Sequence, residues 1–358
     1  MSTLTIALAS LGGVVLAGVV AHGAWQARKA GPKRAVMEPR PEPRDPMMGP
    51  VMDAVTGDSL AGAQADAHDA ADLSQSPERR ANKRIVNRLD ALIDCIATLA
   101  VEAPVSGMVA MAHLPPTRRA GGKPFLIEGL NTETAEWEPP LAGQHYGEVQ
   151  AGVQLANRGG ALNEIEYSEF VQAVQPFCES IGAMADFPDM LEVVARAREL
   201  DAFASQHDAQ LAVHLHARSS PWSVSYIHQH AGRHGFVPGM VPGRLVMPSA
   251  EEGAPPVLTL SFDSLIALDE NPHQAVVSDV TLSFDVPQTD SQAEPFVAWQ
   301  ASAQALSLGM DAAVVDDNGQ PLSPPGFAVI GGELGQLYQA LAERDLAAGS
   351  MATRRLFS

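Results

Sequence analysis

The chain has 358 residues, with 23 Lys and Arg against 42 Asp and Glu, for a formal net charge of −19. So acidic a protein repels nucleic-acid phosphates, which excludes a nucleic-acid binder. Two cysteines, Cys95 and Cys178, exclude a disulfide framework and read as small buried apolar residues in a reducing compartment.

The first 27 residues carry no Lys, Arg, Asp or Glu, and Leu4 to Trp25 is largely apolar. That length matches a hydrocarbon core roughly 30 Å thick. Arg28, Lys29, Lys33 and Arg34 follow at once. A cleaved secretory signal carries its positive charges before the apolar stretch, whereas here they come after it. The expectation for 1–27 is therefore an uncleaved transmembrane anchor. By the positive-inside rule its N-terminus faces out and the rest of the chain stays cytoplasmic. No GxxxG spacing occurs in it to support helix dimerisation.

Residues 28–80 contain seven prolines and no aromatic residue. Such a stretch buries too little apolar area to offset chain entropy and is expected to be a disordered linker. Fifty residues of flexible coil reach roughly 40 Å.

Residues 81–206 give a mixed α+β pattern. Strands are predicted over Leu89–Val101, Pro124–Leu130, Glu133–Glu138 and Val149–Leu155, with helices over Pro104–Met111, Asn163–Ile181 and Met190–Gln206. In 207–346, period-two alternation predicts strands over Gln210–His216, Val257–Phe262 and Val280–Val286, and the turn signal Asp316-Asp-Asn-Gly319 closes a short strand over Ala312–Val315. Helices are predicted over Pro221–Gly235, Glu294–Met310 and Glu333–Leu346, and residues 347–358 are left as a C-terminal tail. The implied fold is an antiparallel sheet with helices on one face. The earlier segment reads either as a degenerate copy of the later one or as an unrelated α+β domain, since any such domain alternates similarly.

Enzyme signatures are absent from the sequence. There is no GxSxG, no GxxxxGK[ST] and no CxxC, so neither a catalytic residue nor a small-molecule substrate is assigned. Gly121-Gly122 and Gly331-Gly332 read as loops. His230 and His234, at i and i+4, have the spacing of metal ligands. They lack an HExxH context and read as exposed polar residues, as do His214, His216 and His228, so no metal or other cofactor is expected.

The layout of apolar helix, basic collar, Pro-containing linker and α+β domain resembles the ZipA family of bacterial cell-division proteins. Within 207–346 the likeness rests on Gly235-Phe-Val-Pro-Gly239, on Val280 to Pro287 leading into a helix, and on Ala313-Val-Val-Asp-Asp317 before Pro321-Leu-Ser323. Leu337-Tyr338 on the last helix completes it. The resemblance implies a split βαβ domain whose uncovered sheet face holds the C-terminal tail of FtsZ in a shallow groove, tethering the Z-ring to the bilayer during septation. That tail docks through apolar anchors and ends in basic residues, which suits an acidic body. The alternatives are a membrane-anchored scaffold for another division protein and a membrane-anchored metal-dependent enzyme.

On this reading the groove-side positions are Ala212 and His214 on the first strand, Thr259 and Ser261 on the third, Thr281 and Ser283 on the fourth, and Val241 in the loop nearby. Family members carry bulkier apolar residues at several of these positions, so either the tail binds differently here, through Val241 and the loop around it, or the first domain, 81–206, supplies the groove.

Overall fold

The computed structural model describes residues 88–268 and 276–358. The anchor expected over 1–27 and the linker expected over 28–80 lie outside the described residues. Among the described residues, no helix is long and apolar enough to cross a membrane.

The protein is α+β, and the described residues form two main antiparallel sheets beside two small two-stranded ones. In the first, β1 (Asp94–Val101) lies between β3 (His145–Gln154) and β4 (Ala183–Asp186), and β2 (Lys123–Asn131) pairs with the outer side of β3. The order is β2-β3-β1-β4. Cys95, Ala97, Leu99, Phe125, Ile127, Val149, Ala151 and Val153 alternate onto one face and are buried there.

Three helices serve this half: α1 (Gly107–Ala112), α2 (Glu164–Ile181) and α3 (Met190–His207). The start of α2 is set by Asn163, whose side chain accepts from the Ile165 and Glu166 amides while Glu166 reaches back to the Asn163 amide. Gly182, at φ 68°, ends it in the left-handed conformation that glycine adopts without penalty. The buried stripe of α2, Tyr167, Phe170, Val174, Phe177 and Cys178, falls at helical spacing on the sheet core.

The second half repeats this order of elements. Here β5 (Gln210–Ala217) lies between β8 (Asp279–Asp285) and β9 (Ala312–Val315), and β8 pairs with β7 (Leu258–Ser261). The order β7-β8-β5-β9 matches that of the first sheet, with β6 (Arg244–Met247) and the two-residue strand Val237–Pro238 added beyond β7. Its helices are α4 (Val224–Arg233), α5 (Pro295–Met310) and α6 (Pro324–Ala342).

A detail recurs in both halves. A short strand ends in a serine that caps the next helix: Ser106 accepts from the Val109 amide before α1, and Ser223 accepts from the Tyr226 amide before α4. Each short strand pairs with the segment entering the third main strand, Val105–Ser106 with His145–Tyr146 and Trp222–Ser223 with Val276–Val277.

Several expectations change, among them the strand expected over Glu133–Glu138, which is reduced to Trp137–Glu138 because residues 132–134 form a turn. The strand expected from Leu89 begins at Asp94, because residues 91–93 form a turn. Strands β4 and β6 were not expected, because Ala-Met-Ala-Asp and Arg-Leu-Val-Met show no apolar–polar alternation. The last long helix begins at Pro324 rather than Glu333, and Gly331-Gly332 lie inside it. Ser323 caps α6, two prolines occupy its first turn, and Gly331 lets it approach α5. A Cβ on Gly331 would sit 3.1 Å from a Phe296 ring carbon.

Residues 347–358 are packed rather than free. They contain α7 (Met351–Leu356), and Ala348, Ala352, Leu356 and Phe357 enter the core of the first half. The preceding helix spans both cores: Phe327 and Leu334 of α6 lie in the second, Leu341 in the first, and Tyr338 touches each.

Candidate functional site: the uncovered face of the second sheet

Val213, Leu215, Leu258, Leu260, Val280, Leu282 and Phe284 bury one face of the second sheet against α4, α5 and α6. Trp299 of α5 anchors the contact, its indole N–H donating to the Leu282 carbonyl at 3.0 Å. Strand alternation then turns the intervening residues to the opposite face, which these helices leave uncovered.

Register fixes what that face presents. One row runs Val237, Val246, Thr259, Ser283 and Ala212, and the next runs Arg244, Ser261, Thr281, His214 and Val315. Six of the seven groove positions inferred from sequence are thus brought together: Ala212, His214, Thr259, Ser261, Thr281 and Ser283. All are half-buried except Ser283, which is 5% exposed because its neighbours close over it.

Val241 stands apart, on the hairpin tip between Val237–Pro238 and β6. The Phe262 amide donates to the Gly243 carbonyl at 2.9 Å. A Cβ on Gly243 would lie 3.2 Å from the Ser264 Cα. The tip, with Met240 and Val241, is thereby set beside a helical turn carrying Leu265, and all three side chains are exposed. Sequence reasoning missed Val237, Val246 and Leu265. Phe236-Val237 and Leu245-Val246 each put one residue into the core and the next onto the uncovered face, but strands this short give no periodic signal.

The far side of the face is polar and held in place. His214 Nε2 lies 3.0 Å from Asp317, and its Nδ1 lies 3.2 Å from the Thr281 hydroxyl and 3.5 Å from Asp279. His216 Nδ1 is 2.6 Å from Asp279, and the two rings stack at 6.1 Å. Both imidazoles are therefore oriented. Among the described residues, no three His, Cys, Asp or Glu side chains are arranged to hold a metal. On α4, the His230 ring lies tilted against Tyr226 at 4.3 Å, and burial, with Arg233 and His234 nearby, pushes its pKa down.

The equivalent face of the first sheet is partly occupied by the chain itself. The Leu89 amide donates to Glu128, and its side chain lies against Gly152, where an added Cβ would come within 2.5 Å of it. At the same end Gln154 donates to the Arg355 carbonyl of α7 at 2.7 Å. Neither Cys95 nor Cys178 serves a site: both are buried and free, and burial pushes each thiol up to about 11.

Together the uncovered face of the second sheet offers a shallow floor of small side chains, an apolar lip at the β6 side and fixed imidazoles at the β9 side. Scans against protein-family models and against curated proteins returned no match.

Proposed function

We propose that this protein is a ZipA-like, membrane-anchored adaptor that binds the C-terminal tail of FtsZ on the uncovered face of its second sheet and tethers the Z-ring to the inner membrane. In this proposal each half is one copy of a split βαβ unit, the N-terminal apolar segment is the anchor, and no chemistry is catalysed. The observation that carries the reading is the face itself, small at Ala212, Ser283 and Thr259 and apolar at Val237 and Val246, with Met240, Val241 and Leu265 at its margin. An apolar-anchored peptide finds here the contacts that the first, third and fourth strands lack. Weak single contacts become firm when many tethers on one bilayer meet a polymer with many tails.

The test is titration of the FtsZ tail peptide into the full-length chain, followed by anisotropy. Saturable binding that weakens about tenfold or more in Val246→Asp supports the reading, since a charge at that position faces the peptide's apolar anchors. Absence of binding removes FtsZ as the partner. Binding that Val246→Asp and Thr259→Asp leave unchanged removes this face as the site.

A further inference from the structure

The two sheets end differently on the side of β4 and β9. In the second sheet the outer edge of β9 is closed by its own chain, because Val315 bridges to Pro321 and the Leu322 amide donates to the Val314 carbonyl at 3.1 Å. In the first sheet β4 pairs only with β1, and no backbone hydrogen bond among the described residues reaches its outer edge. A free strand edge is a template for another strand, and proteins usually block it.

The surroundings of that edge specify what fits. Met184 and Asp186 pair with Ala100 and Thr98 and so share the face away from the helices. Met184 is 79% exposed, and Thr98, Ala100 and Asp186 are exposed beside it. Asp186, Glu102, Glu148 and Glu179 form no ion pair among the described residues. Glu179 also lies in the last turn of α2, where no basic residue offsets the negative helix end.

We infer that β4 is a second docking site, independent of the uncovered face of the second sheet, which takes an extended segment of a partner chain by strand addition. The segment carries a basic residue and an aliphatic one two positions apart, so that both fall on one face, the first beside Asp186 and the second on Met184. Its backbone completes the edge, and its positive charge meets the carboxylates that the protein leaves unpaired.

The probe is a labelled octapeptide in which threonine alternates with arginine and valine in turn, titrated into the full-length chain at low salt. A matched peptide with glutamate for arginine is the control. Expected are saturable binding, slowed hydrogen exchange at the alternate β4 amides that point away from β1, and a five- to tenfold loss in the folded variant Asp186→Lys/Glu179→Lys. Four outcomes would each overturn the inference: no binding up to about 1 mM, equal binding of the glutamate peptide, unchanged affinity in the double variant, or unchanged exchange at β4. Protection of β4 without peptide, together with a dimer in sedimentation, would give the edge to a second copy and overturn this occupant.

Discussion

Asp94 and Arg355 stand 261 positions apart in the sequence and meet in the interior through two hydrogen bonds of 2.6 and 2.8 Å. Asp94 begins β1 at the entry to the described fold, and Arg355 belongs to α7 at its end. The same guanidinium donates to the Arg88 carbonyl, so the segment entering the fold and the segment ending it are fastened at one point. Burial pushes the Asp94 carboxyl up, against the downward pull of Arg355.

Removing one member of such a pair leaves the other charge buried and uncompensated, at a cost of about 3–5 kcal/mol. Arg355→Met is therefore expected to lower the urea midpoint strongly. The double variant Asp94→Leu/Arg355→Met should recover much of that loss, because no lone charge remains. Equilibrium unfolding of the three proteins checks this, and a wild-type midpoint for Arg355→Met would show that the clasp carries no stability.

The buried thiols give a pH dependence whose sign is fixed. Cys95 and Cys178 are raised from 9.0 to about 11, so the folded state keeps protons that the unfolded state releases. Their contribution is fully present below pH 9 and is lost as pH rises toward 11. Full expression of the shift corresponds to roughly 2–3 kcal/mol per thiol. Native protein at pH 8 should resist alkylation at both cysteines and react at both in denaturant, as read by mass spectrometry.

Gly129 of β2 faces the ring of Tyr146, and a Cβ there would lie 2.4 Å from ring carbons. Tyr146 is fully buried, accepts from the Leu141 amide at 2.8 Å and reaches Glu138 at 3.2 Å, so its ring has nowhere to move. Gly129→Ala is expected to destabilise by about 1–3 kcal/mol through overpacking. Gly143→Ala, which meets no atom within 4 Å but has a φ of 88°, is the comparison for backbone strain alone. Thermal unfolding of both separates the two causes.

Two positions of the candidate face should behave differently under the same substitution. Ala212 is half-buried, and Ala212→Asp is expected to weaken peptide binding while leaving the thermal midpoint nearly unchanged. Ser283 is buried, so Ser283→Asp also places a carboxylate out of water and is expected to cost about 1–3 kcal/mol of stability. Calorimetry beside the peptide titration distinguishes them. Equal midpoints would mean that the face is more open at Ser283 than its burial indicates.

Long, strongly patterned elements were legible in the sequence. The helices α2 and α3 fall within a residue of their expected ends, because caps such as Asn163 and Asp189 and a periodic apolar stripe are local signals. The main strands β5 and β8 were legible for the same reason, and so was the shared sheet face of Ala212, His214, Thr281 and Ser283. β4, β6 and the Val237–Pro238 strand were not, since Ala-Met-Ala-Asp, Arg-Leu-Val-Met and a two-residue pair show no apolar–polar alternation of their own, and β4 is fixed by its pairing with β1, 88 positions away at Thr98 and Asp186. Gly331-Gly332 misled for a related reason: glycine normally breaks a helix, and only the approach of Phe296 shows why it is kept there.

The order of residues alone determined that this protein is α+β, strongly acidic, and built of alternating strands whose apolar side packs on helices. Alternation and capping act within a few residues, and charge adds along the chain irrespective of fold. Only the tertiary structure decided that residues 347–358 close the first half, that Val237 and Val246 extend the candidate face, and that β9 is sealed while β4 is open. Each of these depends on which segments meet in space, whether six positions apart, as Val315 and Pro321, or 261, as Asp94 and Arg355, and that is settled by packing of the whole chain rather than by any local preference.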